Sequence, residues 1–317
     1  MAFYLVTGVA GFIGRSIACE LLKRGEKVRG IDNLSTGKRE NLAGLEKMEF
    51  IEGDIRDLET TRKACAGVDF IFHEAAIASV PRSIDDPITA NDANVNGTLN
   101  VLLAARDAKV RRVVFAGSSS VYGNSPTLPK SEDMILRPIS PYAVSKMAGE
   151  AYLQSFWQVY GLETVVLRYF NVFGPHQDPN SMYSGVLARF TTRMLAGEDV
   201  TIFGDGEQSR DFTFIENVVR ANLLVMLADK DNVAGRVFNV ATGSRIDLNE
   251  TAKILQRFTG FKGSILYGPE RSGDVKHSLA DITEARKAFG YEPTVEFEEG
   301  LRRTVAWYRE SVVATGD

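Results

Sequence analysis

Gly8-Val9-Ala10-Gly11-Phe12-Ile13-Gly14 lies between an apolar run, Ala2 to Thr7, and a segment from Phe12 to Arg24 that carries Ile13, Ile17, Leu21 and Leu22 at helical spacing. Strand, glycine turn and helix in that order put backbone N–H groups and the positive end of a helix where a pyrophosphate can be held. The spacing is G-x-x-G-x-x-G, for which tight packing of strand on helix is the competing explanation. A second apolar run, Lys27 to Ile31, ends at Asp32, 18 residues beyond Gly14. A carboxylate there can accept both ribose hydroxyls of adenosine and repels a 2′-phosphate, which favours NAD over NADP. Lys38 and Arg39, just beyond, are the cations that the NADP alternative would use.

Outward from this unit the beat repeats. Met48 to Ile51 reads as a third strand leading to Asp54, with a polar-capped helix from about Asp57. Val68 to Phe72 is a fourth, Ile88 to Ala108 a long helix, Val113 to Ala116 a fifth strand followed by three serines, and Val165 to Arg168 a sixth. Short apolar strands alternating with helices mean a parallel sheet with right-handed crossovers and helices on both faces. The expected fold class is therefore α/β, a Rossmann-type doubly wound parallel sheet with a smaller mixed α/β substrate domain. Beyond about residue 172 the beat weakens at Pro175, Pro179 and a Gly/Asp/Asn-rich stretch, with short strands at Thr201 to Phe203 and Val237 to Val240. The expected division is 1–171 for dinucleotide and catalysis and 172–317 mainly for substrate, with a return to the large domain around 205–250.

Composition narrows the chemistry. The 317 residues carry 37 Lys plus Arg against 41 Asp plus Glu, with no basic run or aromatic-basic stripe, so nucleic acid is not an expected partner. Cys19 and Cys65 fall in helical segments, and His73, His176 and His277 are too scattered for a ligand set, so no metal is expected. No apolar stretch approaches a membrane span and no basic leader precedes the first strand; the expected compartment is the cytoplasm.

Tyr142 and Lys146 stand four apart in a helical pattern after Pro141, so both side chains emerge on one face. A nearby ammonium favours tyrosinate and draws a tyrosine toward service as a base. Ser118, Ser119 and Ser120 follow the fifth strand at the sheet's carboxyl edge, where such sheets place ligands; they read either as a loop start or helix N-cap or as hydroxyls that bond the reacting group and the sugar. Asp54 and Ile55 edge a candidate adenine site, although Asp54 reads equally as a helix cap. In His73 to Ala76, HEAA, small residues let the backbone approach the cofactor, and His73 itself reads as structural.

GVAGFIG, Asp32, SSSVYG, Tyr142-Ala-Val-Ser-Lys146 and RYFNVFGPHQDPN together resemble the extended short-chain dehydrogenases/reductases, and within them the UDP-hexose 4-epimerases, over residues 3 to 310. QDPNSMY, FGDGEQSRDFTFIENVVRA and RSGDVKHSLADI look most similar to bacterial UDP-N-acetylglucosamine 4-epimerases that supply precursors for surface polysaccharide. The resemblance implies that Ser118, Tyr142 and Lys146 are catalytic. It implies a bound NAD touched by Gly8, Gly11, Phe12, Ile13, Gly14, Asp32, Asn33, Asp54, Ile55, Ala75, Asn94, Tyr142, Lys146 and Tyr169, with Asn96 helping to set the catalytic region. The nucleotide sugar would meet Ser118, Ser119, Ser120 and Asn171, with Thr201 and Phe203 flanking uracil, Arg210 and Arg271 on the diphosphate, and Asp274 on the uridine ribose. Ser278 stands where epimerases of non-acetylated sugars carry a bulky tyrosine, which leaves volume for an N-acetyl group.

The implied reaction is an internal redox cycle through a transient 4-keto sugar that interconverts UDP-GlcNAc and UDP-GalNAc, together with UDP-Glc and UDP-Gal. A UDP-glucose 4-epimerase with little acetylated-sugar activity is the alternative. A 4,6-dehydratase would carry Thr-Asp-Glu in place of Ser118-Ser119-Ser120, and glucuronate epimerases or decarboxylases tend to have threonine in place of Asn171. A non-catalytic NAD sensor would leave Ser118, Tyr142 and Lys146 idle. Apolar residues Leu99, Leu102, Leu103, Leu153, Phe156 and Trp157 on two helices, with the resemblance, imply a homodimer.

Overall fold

Strand β1 (Phe3–Thr7), helix α1 (Phe12–Lys23) and strand β2 (Lys27–Asp32) form the first unit of a computed structural model that describes residues 1–178, 185–270 and 276–314. β3 (Glu49–Glu52), α2 (Leu58–Cys65) and β4 (Phe70–His73) follow, with Asp57 capping α2 by accepting from the backbone N–H of Glu59. Two short helices, α3 (Val80–Asp85) and α4 (Pro87–Asn91), lead to α5 (Gly97–Asp107), then to β5 (Arg112–Ser118), α6 (Pro141–Tyr160) and β6 (Glu163–Tyr169).

The seven strands of the main sheet run in the order Arg236–Val240, β6, β5, β4, β1, β2, β3, every neighbouring pair parallel. Helices cover both faces, so central strands are buried on both sides and read as unbroken apolar runs: Leu5, Val6, Ile71, Phe72, Val113 and Val114 are fully buried. The chain moves outward from β1 in one direction to β3 and in the other through β4. A crevice therefore opens at the carboxyl ends of β1 and β4, where an open α/β sheet binds its ligands.

Arg236–Val240 pairs with β6, and the helix Ile215–Leu227 packs on α1, β5 and β6, so this later part of the chain contributes to the large sheet layer. The smaller lobe is made of brief pairings: Val200–Phe203 with Ile265–Gly268, Ser209–Arg210 with Ile246–Asp247, and Val172–Phe173 with Thr213–Phe214. Phe173, Phe212, Phe214 and Phe297 stack into a cluster beneath it, with ring centroids as close as 5.4 Å.

Three local expectations are corrected. The segment from Ile88 to Ala108 is not one regular helix, because a π turn at Asp92–Asn96 separates α4 from α5. The extra residue in that turn rotates Asn94 inward and leaves Asn96 exposed. The fifth strand runs on through Ser118, which belongs to the sheet edge rather than to the loop. Of the apolar residues expected to pair between subunits, Leu102, Leu153 and Phe156 are buried within the monomer. Among the described residues no helix is long and apolar enough to cross a membrane.

Candidate active site

The turn after β1 is built by close approach of backbone to backbone. Gly8 has φ +68, a conformation glycine adopts without cost, and a Cβ on it would stand 2.8 Å from the Ala75 backbone. A Cβ on Gly14 would stand 2.3 Å from the Gly8 carbonyl oxygen. The Gly11 N–H donates to Gly8 O at 3.0 Å, which closes the turn at the start of α1. This cradle, which any side chain would fill, and the helix start behind it fit a dinucleotide pyrophosphate. Phe12 and Ile13 are half-buried beside it.

Asp32 is nearly buried at the end of β2, and its carboxylate accepts the N–H of Ala10 at 2.9 Å and of Leu34 at 2.8 Å. Burial nevertheless pushes its pKa up. It thus ties the glycine turn to the rim on which an adenosine ribose would rest. Asn33 donates to Asp54 at 2.8 Å, and the Arg56 guanidinium beside Asp54 holds that carboxyl down at about 2. The cap of α2 is Asp57, so Asp54 is free of that role. Ile55 is buried against the face of Gly97. Lys38 is paired with Asp178 at 3.0 Å and Arg39 with Glu52, so both cations of the NADP alternative meet carboxylates.

Across the crevice, α6 begins with Ser140, whose hydroxyl accepts the Ala143 N–H, and Pro141 in the first turn, where its missing N–H costs nothing. Tyr142 and Lys146 then project from one face. Lys146 is buried and its Nζ donates to Ala116 O on β5 at 2.9 Å, 5.9 Å from the Tyr142 ring centre. Burial draws its pKa down to about 8, against the opposing charges of Glu74 and Glu150. Tyr142 is shifted up, not down: burial raises it, the Ser118 hydroxyl bonded to it lowers it, and Glu74 raises it again. Ser118 Oγ lies 2.7 Å from Ser120 Oγ and accepts the Ser120 N–H, so the serines form a linked pair at the strand end; Ser119 is half-buried between them.

Asn94 is fully buried and fastens α6 to the segment after β4, accepting from Ile77 N at 2.8 Å and donating to Ser145 Oγ at 2.9 Å. Asn96 instead donates to Asp92 on the surface, so the inward asparagine is Asn94. His73 is buried between Thr7 and Thr98 at 2.8 and 2.9 Å, and burial drives its pKa down to about 3; it is a neutral structural group. The Ala75 N–H donates to Thr7 Oγ1 at 3.1 Å.

On the lobe side, a cavity of about 280 Å³ is lined by Asn171, Thr201, Phe203 and Arg210 together with Arg189, Gln208 and Phe212. Asn171 holds φ +37 and donates from Nδ2 to Asp211 O at 2.9 Å. Arg210 Nη1 donates to Ser209 O at 3.0 Å, and the Ser278 N–H donates to the same carbonyl, also at 3.0 Å. Ser278 is half-buried there and is not among the residues lining the cavity. Arg271 and Asp274 lie outside the described residues.

Two features escaped the sequence reading. Glu74, beside the noted His73, accepts from Tyr169 OH at 3.0 Å, and Tyr169 OH in turn accepts from Asn222 at 2.9 Å. Glu150, one turn after Lys146, is buried in a bidentate pair with Arg168, whose guanidinium also donates to Tyr122 OH at 2.8 Å. An acidic residue directly after a core strand was the available signal for Glu74; nothing local marks Glu150. Among the described residues no group of His, Cys, Asp and Glu could hold a metal.

The model of the NAD dependent epimerase/dehydratase family matches residues 4–241. UDP-glucose 4-epimerase of Mycolicibacterium smegmatis is 41% identical over 310 residues, covering 96% of this chain and 98% of that one. The structure of UDP-glucose 4-epimerase from Thermus thermophilus in complex with NAD is 38% identical with a TM-score of 0.88, covering 97% and 99% of the two chains. UDP-N-acetylglucosamine 4-epimerase from Methanobrevibacter ruminantium, in complex with UDP-N-acetylmuramic acid, is 40% identical with a TM-score of 0.93, covering 98% and 99%. Similarity of this kind does not single out the acetylated-sugar branch expected from the motifs; the names of relatives back the UDP-glucose alternative better.

Proposed function

We propose that this chain, which belongs to the NAD dependent epimerase/dehydratase family, is an NAD-dependent UDP-sugar 4-epimerase of the cytoplasm, with residues 1–171 as its dinucleotide domain and 172–317 mainly as its sugar-nucleotide domain. One observation carries the reading: Ser118, Tyr142 and Lys146 converge from a strand end and a helix on the same carboxyl-edge crevice as the glycine cradle.

Gly8, Gly11, Gly14 and Asp32 would hold NAD, with Asn33, Asp54 and Ile55 on the adenine side and Tyr169 toward the catalytic pair. When bound, NAD supplies an acceptor that takes hydride from the sugar and gives it back. Tyr142 removes the proton from the sugar O4 and later returns it, so no net acid or base is consumed. Ser118 bonds Tyr142 and shares its proton, and its link to Ser120 keeps the hydroxyl aimed into the crevice. Lys146, anchored on Ala116 O, keeps a positive charge beside the tyrosine near neutral pH. On the lobe side, Arg210 offers a planar guanidinium to the diphosphate, and Thr201 and Phe203 offer walls to uracil. Holding UDP tightly while the hexose is held loosely lets the 4-keto ring present its other face, which inverts C4.

Two of the three named relatives support UDP-glucose as substrate, and with it UDP-galactose as its C4 epimer. Ser278 supports a second reading in which UDP-GlcNAc and UDP-GalNAc are also accepted, because it stands where the resemblance puts a bulky tyrosine in epimerases of non-acetylated sugars, and its N–H shares the Ser209 carbonyl with Arg210. A homodimer would use the apolar surface left outside the monomer core: Ile88 on α4 is 81% exposed and Val144 on α6 is 47% exposed. The test is incubation of the purified protein with UDP-glucose, UDP-GlcNAc and UDP-glucuronate, with separation of the C4 epimers. Interconversion of the glucose pair supports the assignment, interconversion of the acetylated pair adds the Ser278 reading, and interconversion of glucuronate alone overturns both substrate readings.

A further inference from the structure

We propose that Glu74 is a positioning residue whose carboxylate, held by Tyr169, sets the pH window in which Tyr142 and Lys146 work as a pair. The inference rests on the epimerase reading for its meaning but not for its test. Glu74 is the first residue after β4, at the sheet edge between the glycine cradle and α6. Its backbone packs against the open face of Gly8, where a Cβ would come within 3.1 Å of the Glu74 carbonyl carbon. Its Oε1 accepts from Tyr169 OH on β6. Tyr169 is held in turn by Asn222, whose amide nitrogen also donates to Val218 O at 2.9 Å. A fixed donor thus holds a carboxylate in place beside the catalytic crevice, although nothing in the reaction consumes its proton.

The ionisable groups facing Glu74 are Tyr142 and Lys146 from α6 and Tyr169 from β6; its neighbour His73 is turned away and neutral. Burial raises the Glu74 pKa to about 7, so its charge changes near physiological pH. When ionised, it opposes formation of the Tyr142 phenolate and stabilises the Lys146 ammonium. Catalysis needs tyrosinate together with the ammonium, and because Lys146 titrates below Tyr142 the acid limb of the rate profile follows Lys146 and the alkaline limb follows Tyr142. Removing the negative charge lowers both pKa values, so both limbs move the same way, to lower pH. Loss of packing would lower the profile without displacing it.

The experiment uses Glu74→Gln, which keeps an acceptor for Tyr169 and loses the charge, and Glu74→Asp, which keeps the charge. The phenolate absorbance of each full-length protein is titrated against its own Tyr142→Phe counterpart, which isolates Tyr142 from the other tyrosines and needs no turnover. The proposal expects Glu74→Gln to lower the Tyr142 pKa by about half a unit to one unit, with Glu74→Asp close to the parent. In the epimerase assay the bell-shaped profile of Glu74→Gln should move acidward on both limbs. An unmoved Tyr142 titration in Glu74→Gln, or an equal displacement in Glu74→Asp, overturns the proposal. If Glu74→Gln does not fold, the Glu74→Asp comparison is made with Glu74→Ser, and the same two outcomes decide. An absence of epimerase activity in the parent protein with a displaced Tyr142 titration defeats the functional reading and leaves the role of Glu74 intact.

Discussion

On the proposed function, the glycine cradle and the sugar lobe would hold a phosphate in opposite ways. In the cradle the work is done by missing atoms: Gly14 and Gly8 touch where a single methyl would intrude, and the turn bonds itself through Gly11. In the lobe it would be done by side chains that line a cavity, among them Arg210 on the two-residue strand Ser209–Arg210. A site made of backbone fails all at once when an atom is added, whereas a site made of side chains weakens by degrees.

The largest effect that could break this contrast comes from Gly14→Ala. Its new Cβ meets backbone at 2.3 Å, and backbone cannot swing aside as a side chain can. The expected outcome is loss of NAD from the purified protein together with about 1–3 kcal/mol of stability, followed by cofactor absorbance and thermal unfolding. Retention of a full complement of NAD would show that the cradle is looser than its geometry implies.

Arg210→Ala comes next. A charge-assisted contact contributes about 1.5–3 kcal/mol, so KM for the UDP-sugar should rise roughly 10- to 100-fold while kcat and NAD content stay near the parent values. Steady-state kinetics would contradict the contrast if kcat fell in proportion and KM did not move.

The smallest effect is one of ratio. Ser278→Tyr should reduce kcat/KM for UDP-GlcNAc more than for UDP-glucose, about tenfold in the ratio. Equal losses on both substrates would remove Ser278 from the specificity argument.

The same contrast explains what could be read in advance. Backbone-made features leave local marks, because a glycine at a fixed spacing after an apolar run has a meaning within seven residues; β1, the turn, α1 and Asp32 were all legible that way. Capping was local too, as Asp57 shows. Side-chain networks leave no such mark. Glu74 finds Tyr169 across 95 residues of chain, and Tyr122 finds Asn239 across 117. The π turn shows a third kind of loss: Asn94 and Asn96 lie on nearly opposite faces of a helix, and a widened turn, which leaves no local mark in the sequence, sets which of those faces meets the interior. Ser118 illustrates a smaller one, since three serines read as a loop although the first still pairs with Tyr169 in the sheet. The lobe's two-residue strands are too short to show any period, and two of them are tied to the aromatic cluster only through Phe173 and Phe214.

The central claim is that one crevice both oxidises and reduces the same sugar carbon, with Tyr142 moving the proton and the hydrogen at C4 never leaving the site. It is tested most directly with UDP-glucose carrying deuterium at C4, converted in ordinary water and followed by NMR of the UDP-galactose formed. The account predicts that the product keeps its deuterium at C4. A product carrying solvent hydrogen at that carbon would contradict it.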